Sequence, residues 1–418
     1  MNILLKSATI LDEDNRGLHQ KVRDLWIRNG KIEKIAASIK ADARTRVISF
    51  PNLYVSKGWI DCSVSFGEPG YEERETLANG IKIAAHSGFT DIVLNPNTKP
   101  IPDTSGDVVF LKKTAGDKGA RVHPMGALTM QSAGIDLAEL YDMKNAGAVA
   151  FYDFKRPVMN SNLLKIALQY AQGFDGLVLS YPMDLSIAAK GMVNEGGMST
   201  KLGLKGIPSF SEEIQIARDL FILEYTGGKL HIPTISTANA VNLIAEAKKK
   251  GLDVSCSVAL HNLYFTDEVL DEFETNYKVL PPLRTKKDAE ALKKGLKSGV
   301  IDMVTTDHLP MDIEEKRVEF DHAAFGSIGL ESAFGILNSI FDTETSIRFL
   351  TKGRERFGLT PVSIKEGQTA NLSLFTPEGK KEIKKEDLQS TSKNSMFIGQ
   401  KGKGSVYGVI VNDQLLLA

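Results

Sequence analysis

The sequence predicts an α/β fold, a (β/α)8 barrel with a small β-sandwich domain built from both chain termini. Three observations lead there. Eight apolar, β-branched-rich runs alternate with amphipathic segments through the middle of the chain. Strand-like stretches cluster at both ends, and polar residues recur where the middle runs stop, which is where such barrels carry their sites. A chain of 418 residues also suits one large domain plus a minor one. Periodicity alone leaves a doubly wound sheet open, and the placement of the polar residues favours the barrel.

The elements follow in order. Residues 1–50 read as short strands at 3–8, 24–28, 31–35 and 46–49, separated by turns. The tail beyond Gly367 has the same texture, at 371–375 and 404–411, with a turn near Asn412 and Asp413. Residues 1–50 and 363–418 are therefore expected to combine into the β-domain, and 51–362 to form the barrel. Barrel strands are expected at 54–60, 91–94, 121–125, 148–152, 176–180, 229–235, 253–259 and 303–306. Segments such as 163–171 and 238–250 have helical periodicity between them.

Composition narrows the class. Hydrophobic residues make up 42% and charged residues 25%, ordinary for a globular protein, and the formal net charge is −1. That balance gives no general attraction to nucleic acid or an anionic membrane, and no apolar stretch is long enough to span a bilayer. Two distant cysteines, Cys62 and Cys256, exclude a disulfide framework or a Cys-rich zinc module and read as small packed hydrophobes. With no signal-peptide pattern at the start, a cytoplasmic location is expected.

Long motifs then occur in sequence: GWIDCSVSFGEPG at 58–70, EERET at 72–76, SGFT at 87–90 and NPNTKP at 95–100. They continue with NEG at 194–196, LGLKGIP at 202–208, Glu212 with Glu213, HIPTIST at 231–237, PPLR at 281–284, TDH at 306–308 and FGSIGLE at 325–331. Together these resemble a type I dihydroorotase of the cyclic amidohydrolase family. The EPG and PPLR elements favour it over hydantoinases and allantoinases. The resemblance implies a TIM barrel of the metal-dependent amidohydrolase type, a role in pyrimidine biosynthesis, and hydrolysis of a cyclic amide by a zinc-held hydroxide. Zinc is required because free water is too weak an acid at neutral pH.

The resemblance also assigns the metal ligands, and there the chain departs from the family. The His-x-His pair of the first strand falls on Ser63 and Ser65, whose spacing still puts both on one face. The other two histidines fall on Ser180 and Thr234. Hydroxyls are poor zinc donors beside imidazole or carboxylate. Two acids remain. Asp153, in FYDFK at 151–155, matches the region of the bridging carboxylate, although the family usually has two adjacent aspartates there and the alignment stays open. Asp307 matches the aspartate that binds metal and shuttles the proton.

Substrate contacts thin out too. The arginine after the His-x-His pair becomes Gly67, the asparagine before PPLR becomes Leu280, and the histidine four residues past the aspartate becomes Met311. Asn97, His308 and the Phe325-Gly326 pair are kept as vestigial binding groups, with Asp307 as a vestigial catalytic one. A new nucleophile from Ser63 or Ser65, helped by His308 and Asp307, would need an aimed base and an oxyanion site that no motif supplies. His231 and His261 lie off the ligand positions and read as hydrogen-bonded structural histidines. The segment 193–207 is equally a lid or a long surface loop. The chain therefore resembles the family's non-catalytic members, with no cofactor expected. As a pseudoenzyme it is expected to form a homodimer and to act as a structural or regulatory partner of aspartate carbamoyltransferase. The alternative is an active amidohydrolase with a remodelled zinc site, and a third reading is a small-molecule sensor at the barrel mouth.

Overall fold

The computed structural model describes residues 1–418. Short parallel strands set side by side form a closed ring: Trp59–Val64, Phe89–Leu94, Arg121–Pro124, Leu177–Leu179, Lys229–Ile232, Val254–Ala259 and Met303–Thr305. The fourth position, expected at 148–152, is reduced to a bridge at Phe151, which pairs with Gly126 on one side and Val178 on the other. The last strand meets the first where Ser65 N–H donates to the His308 carbonyl at 2.8 Å.

Helices such as Leu77–His86, Ser161–Gln172, Ala238–Lys249 and Lys286–Ser298 cover the ring, each burying an apolar stripe. Their starts are set locally. Thr76, Asn160, Thr237 and Thr285 each cap free N–H groups of the first turn. A core of 61 buried residues runs between ring and helices, and a second cluster of 14, including Ile60, Val93, Met125 and Met303, joins the strands themselves.

The termini form one eight-stranded sheet. Its strands are Asn2–Leu11, Val22–Arg28, Lys31–Ala36, Arg46–Ile48 and Tyr54–Lys57 from the N-terminal side, with Leu372–Glu382, Lys401–Val411 and Gln414–Leu417 from the other. The two ends join where Leu372–Glu382 runs antiparallel to Tyr54–Lys57. Ile3, Leu25, Val55, Leu372 and Ile410 meet in one apolar cluster, so the sheet is folded about its own core.

One expected strand divides. The run 54–60 breaks at Gly58, sending 54–57 into the terminal sheet and 59–64 into the barrel. A Cβ at Gly58 would sit 1.8 Å from Asn371 Oδ1 and 2.2 Å from Thr90 Oγ1, so only glycine lets the chain pass between the domains. No helix is long and apolar enough to cross a membrane.

Candidate active site

The C-terminal ends of the barrel strands bring Ser63, Ser65, Asn95, Lys155 and Asp307 together. A register shift between Asp61 and Val64 in the first strand re-aims its end. Ser63 and Ser65 share a side there, since the Asn95 amide donates to both hydroxyls at 3.1 and 3.0 Å. Asp61 anchors this turn from below. Its carboxylate accepts from the backbone N–H of Ser63 and Thr306 and from the hydroxyls of Thr305 and Thr306. Burial pushes the Asp61 carboxyl up to about 6 despite those bonds.

The centre is an ion pair that the sequence did not announce. Lys155 Nζ donates to Asp307 Oδ2 at 2.7 Å, and Ser63 Oγ donates to Asp307 Oδ1 at 3.3 Å. The side chains are 11% and 2% exposed, so the charges meet almost out of water. Burial raises the Asp307 carboxyl above its ordinary value, and the ammonium opposes that rise. Asp307 also takes a left-handed backbone, φ +51°, as does the β-branched Thr234 at φ +48°, a strain that clusters at functional sites. Both Asp307 carboxylate oxygens are thus occupied by protein groups.

The other expected ligand positions do not converge on that pair. Asp153 accepts from the N–H groups of Leu128 and Thr129 at 3.0 Å each and from Thr129 Oγ1 at 2.5 Å, tying down the preceding loop. Its carboxyl is raised by burial. Ser180 Oγ donates to Asp219 Oδ2 at 2.6 Å on the helix Ser209–Thr226. Thr234 N–H donates to Ser257 Oγ, and the Thr234 hydroxyl has no partner.

The substrate-side residues are spent in the same way. A Cβ at Gly67 would lie 1.7 Å from the Tyr71 carbonyl oxygen, so no side chain fits where the family places its arginine. Gly326 N–H donates to the Lys278 carbonyl, and Gly326 O accepts from Lys316 and Asn394. Burial, with Lys278 nearby, lowers the Lys316 ammonium to about 7. Phe325 lies against Lys278 Nζ, 5.1 Å from the ring centre. His308 Nδ1 accepts from the N–H groups of Gly329 and Leu330, fixing that loop. The segment 193–207 is ordered: Arg284 holds Asn194 Oδ1 and the Ile207 carbonyl, and Asn194 donates to Asp267.

His231 bonds Ser255 and Ser257, the structural role expected of it. His261 differs, because its Nε2 is buried without a partner. Tyr181 Oη, His308 Nε2 and Asn97 Oδ1 are orphaned likewise, so two of the expected binding groups, Asn97 and His308, keep a free polar atom.

Reasoning from motifs missed Lys155, Asn95 and Asp61. Lys155 stood in view two residues after Asp153, but its long side chain can reach in many directions, whereas spacing fixes only where a side chain starts.

These donors do not make a zinc site of the kind the resemblance implies. No three His, Cys, Asp or Glu side chains assemble in a way that could hold a metal ion. Asp307 faces an ammonium, Asp153 faces backbone N–H groups, and the other four positions offer only hydroxyls. The residues do not fit the metal.

A family profile described as Dihydro-orotase-like matches residues 51–240. The chain is 38% identical over 425 residues to a dihydroorotase of Pelotomaculum thermopropionicum, covering 100% of this chain and 99% of that one. It is 36% identical to a dihydroorotase of Geotalea daltonii over 100% of this chain and 99% of that one. Among solved structures, an L-hydantoinase of Arthrobacter aurescens superposes with TM-score 0.86 at 21% identity, covering 99% and 95% of the two chains. A D-hydantoinase from Thermus sp. gives 0.83 at 19%, covering 99% and 94%. These two likenesses speak to the fold alone, which is that of the amidohydrolase TIM barrels.

Proposed function

We propose, from the premise that this chain belongs to the dihydroorotase family, that it has left the family's metal-dependent ring hydrolysis behind. It serves pyrimidine biosynthesis in the cytoplasm as a structural or regulatory partner of aspartate carbamoyltransferase. The observation that carries the first half is the Lys155–Asp307 pair. The family mechanism needs that aspartate on a metal-held hydroxide, first accepting its proton and then delivering it to the leaving nitrogen. Here a fixed ammonium lies on the carboxylate instead. It supplies positive charge without an exchangeable water and so offers no nucleophile. The blocked Gly67 position and the occupied Gly326 backbone remove the substrate clamp as well.

The association rests on what remains. The ordered 193–207 segment and the Arg284 network keep a built rim around a mouth without hydrolytic groups, so the work falls to surfaces. Two assays test the reading. Ring closure of carbamoyl aspartate and hydrolysis of dihydroorotate should both stay at background, with or without added zinc. The purified chain should bind the transcarbamoylase of its own organism and change its mass or activity. Metal-dependent turnover abolished by Asp307→Asn would replace the reading with that of an active amidohydrolase. Two proteins that migrate independently would remove the partner.

A further inference from the structure

A cleft of about 360 Å³ opens where the terminal sheet meets the barrel. Asp12, directly after the strand Asn2–Leu11, Lys57 and His19 line it from the side of the sheet. Arg348 in the helix Thr343–Thr351, with Lys352 and Arg354 beyond it, line it from the side of the barrel. Arg354 Nη2 donates to the Gly58 carbonyl and to Thr90 Oγ1, at the starts of the first two barrel strands. The cleft therefore lies at the opposite end of the barrel from the mouth.

Two deeply buried ionic groups in its lining are short of partners. Asp12 is 2% exposed, yet its Oδ1 has no hydrogen bond, and its Oδ2 accepts a long one, 3.4 Å from the Ile364 nitrogen. Lys57 Nζ stands 3.5 Å from Oδ1 but is bonded to Asp14. Arg354 is 6% exposed, and while its Nη2 also pairs with Asp91, its Nη1 bonds nothing. His19 Nδ1 is unpaired as well. Buried polar groups are rarely left so, because nothing repays their lost hydration. An acceptor and a donor both unpaired in the lining of one cleft suit an occupant that carries both complements.

The rest of the lining narrows the class. Three of its sixteen residues are hydrophobic and none is Phe, Tyr or Trp, which disfavours an apolar or base-stacking occupant. Five carboxylates line the cleft and repel a phosphate, and four permanent cations line it and repel a metal ion. The volume is at the low end for a small-molecule site, roughly 300–1,000 Å³, so the occupant is small. We infer that the cleft binds a free α-amino acid, its ammonium on Asp12 and its carboxylate on Arg354 and Lys352. Asp12 belongs to the terminal sheet and Arg354 to the barrel, so the zwitterion bridges the two domains where the chain crosses between them at Lys57 and Gly58.

The inference stands apart from the reading of the barrel mouth, because it concerns the other end of the barrel and is read as binding, not turnover. Isothermal titration of the full chain with each of the common L-amino acids should find at least one that binds saturably. The same compound should raise the thermal midpoint by mass action. Its N-acetyl form lacks the ammonium and its amide lacks the carboxylate, and each should bind about tenfold more weakly or worse, the loss of one charged hydrogen bond. Asp12→Asn should weaken binding by a similar factor. Should that variant fail to fold, Lys352→Gln decides, because Lys352 is exposed and its ammonium bonds nothing in its own chain. Wild type that binds none of the amino acids at millimolar concentration would overturn the inference. So would an N-acetyl form that binds as well as the free one, which marks a plain anion site, or saturable binding of magnesium or calcium chloride alone, which marks a cation site. Binding indifferent to Asp12→Asn and Lys352→Gln but lost in Lys155→Met would move the ligand to the mouth and reject the cleft.

Discussion

At the Asp307 carboxylate, burial and an ammonium pull in opposite directions. Burial raises the group, Lys155 opposes the rise, and the balance leaves it above its ordinary value. Removing one partner of a buried pair leaves an uncompensated charge and costs about 3–5 kcal/mol. Lys155→Met should lose about that much at pH 7 in denaturant unfolding, and adding Asp307→Asn should recover most of it. The pH dependence has a definite sign. A carboxyl raised further in the folded state contributes stability below its unfolded value and loses it as pH rises through the folded one. Lys155→Met should thus regain stability relative to wild type on acidification from pH 7 to 5. Equal stability of Lys155→Met and wild type would show that the pair does no structural work. His308 gives a second test. Its Nδ1 already accepts two backbone N–H groups, and burial pushes its pKa down to about 3. A depressed imidazole contributes stability above its unfolded value near 6.5 and loses it as pH falls toward 3. His308→Asn should flatten the acid slope by up to about 1.4 kcal/mol per pH unit, and an unchanged slope would contradict the burial of that ring. The serines and threonine at the old ligand positions were legible in the sequence, because strand spacing fixes which residue faces which side. The ammonium on Asp307 was not legible, because it arrives on a flexible four-carbon stem.

Between elements, Asp91 on the second barrel strand is the clearest joint. It accepts from Arg121, His123, Arg354 and Thr90, and from Asn371, which leads into the terminal sheet. Arg354 also donates to the Gly58 carbonyl, where the chain passes from sheet to barrel. The hydrogen bond to His123 and the Arg354 and Arg121 guanidiniums hold the Asp91 carboxyl far below the usual carboxylate range in spite of burial, so this joint persists to strongly acidic pH. Asp91→Asn strands the buried Arg354 guanidinium and should cost about 3–5 kcal/mol, read as a drop in thermal midpoint. A change of under about 1 kcal/mol would assign the domain junction to packing alone. The order of strands and helices was readable from alternating apolar runs, yet two details were not. The run 54–60 reads as one β-rich stretch, and only the crowding around Gly58 reveals where it turns from one domain to the other. The fourth barrel position keeps its β-rich composition but pairs at a single residue, since its neighbours supply only short edges.

For the whole molecule, the terminal sheet makes the two ends interdependent. Leu372–Glu382 lies between Tyr54–Lys57 and Lys401–Val411, so a chain ending at 366 leaves the N-terminal strands with an open edge and a core without Ala370, Leu372, Leu374 and Ile410. That truncation should unfold at lower temperature than the full chain, with the N-terminal strands losing hydrogen-exchange protection first. Unfolding no earlier than the full chain would contradict a shared sheet. Fold and family were legible at this scale because long motifs in a fixed order constrain both. Surfaces were less legible, since they leave no spacing rule of comparable force. The central claim is that the barrel mouth has exchanged its metal for the Lys155–Asp307 pair. Elemental analysis of protein purified without chelators tests it most directly. The account predicts zinc far below one equivalent per chain in wild type, unchanged in Asp307→Asn. About one zinc per chain, lost on mutating Asp307 or Asp153, would contradict it.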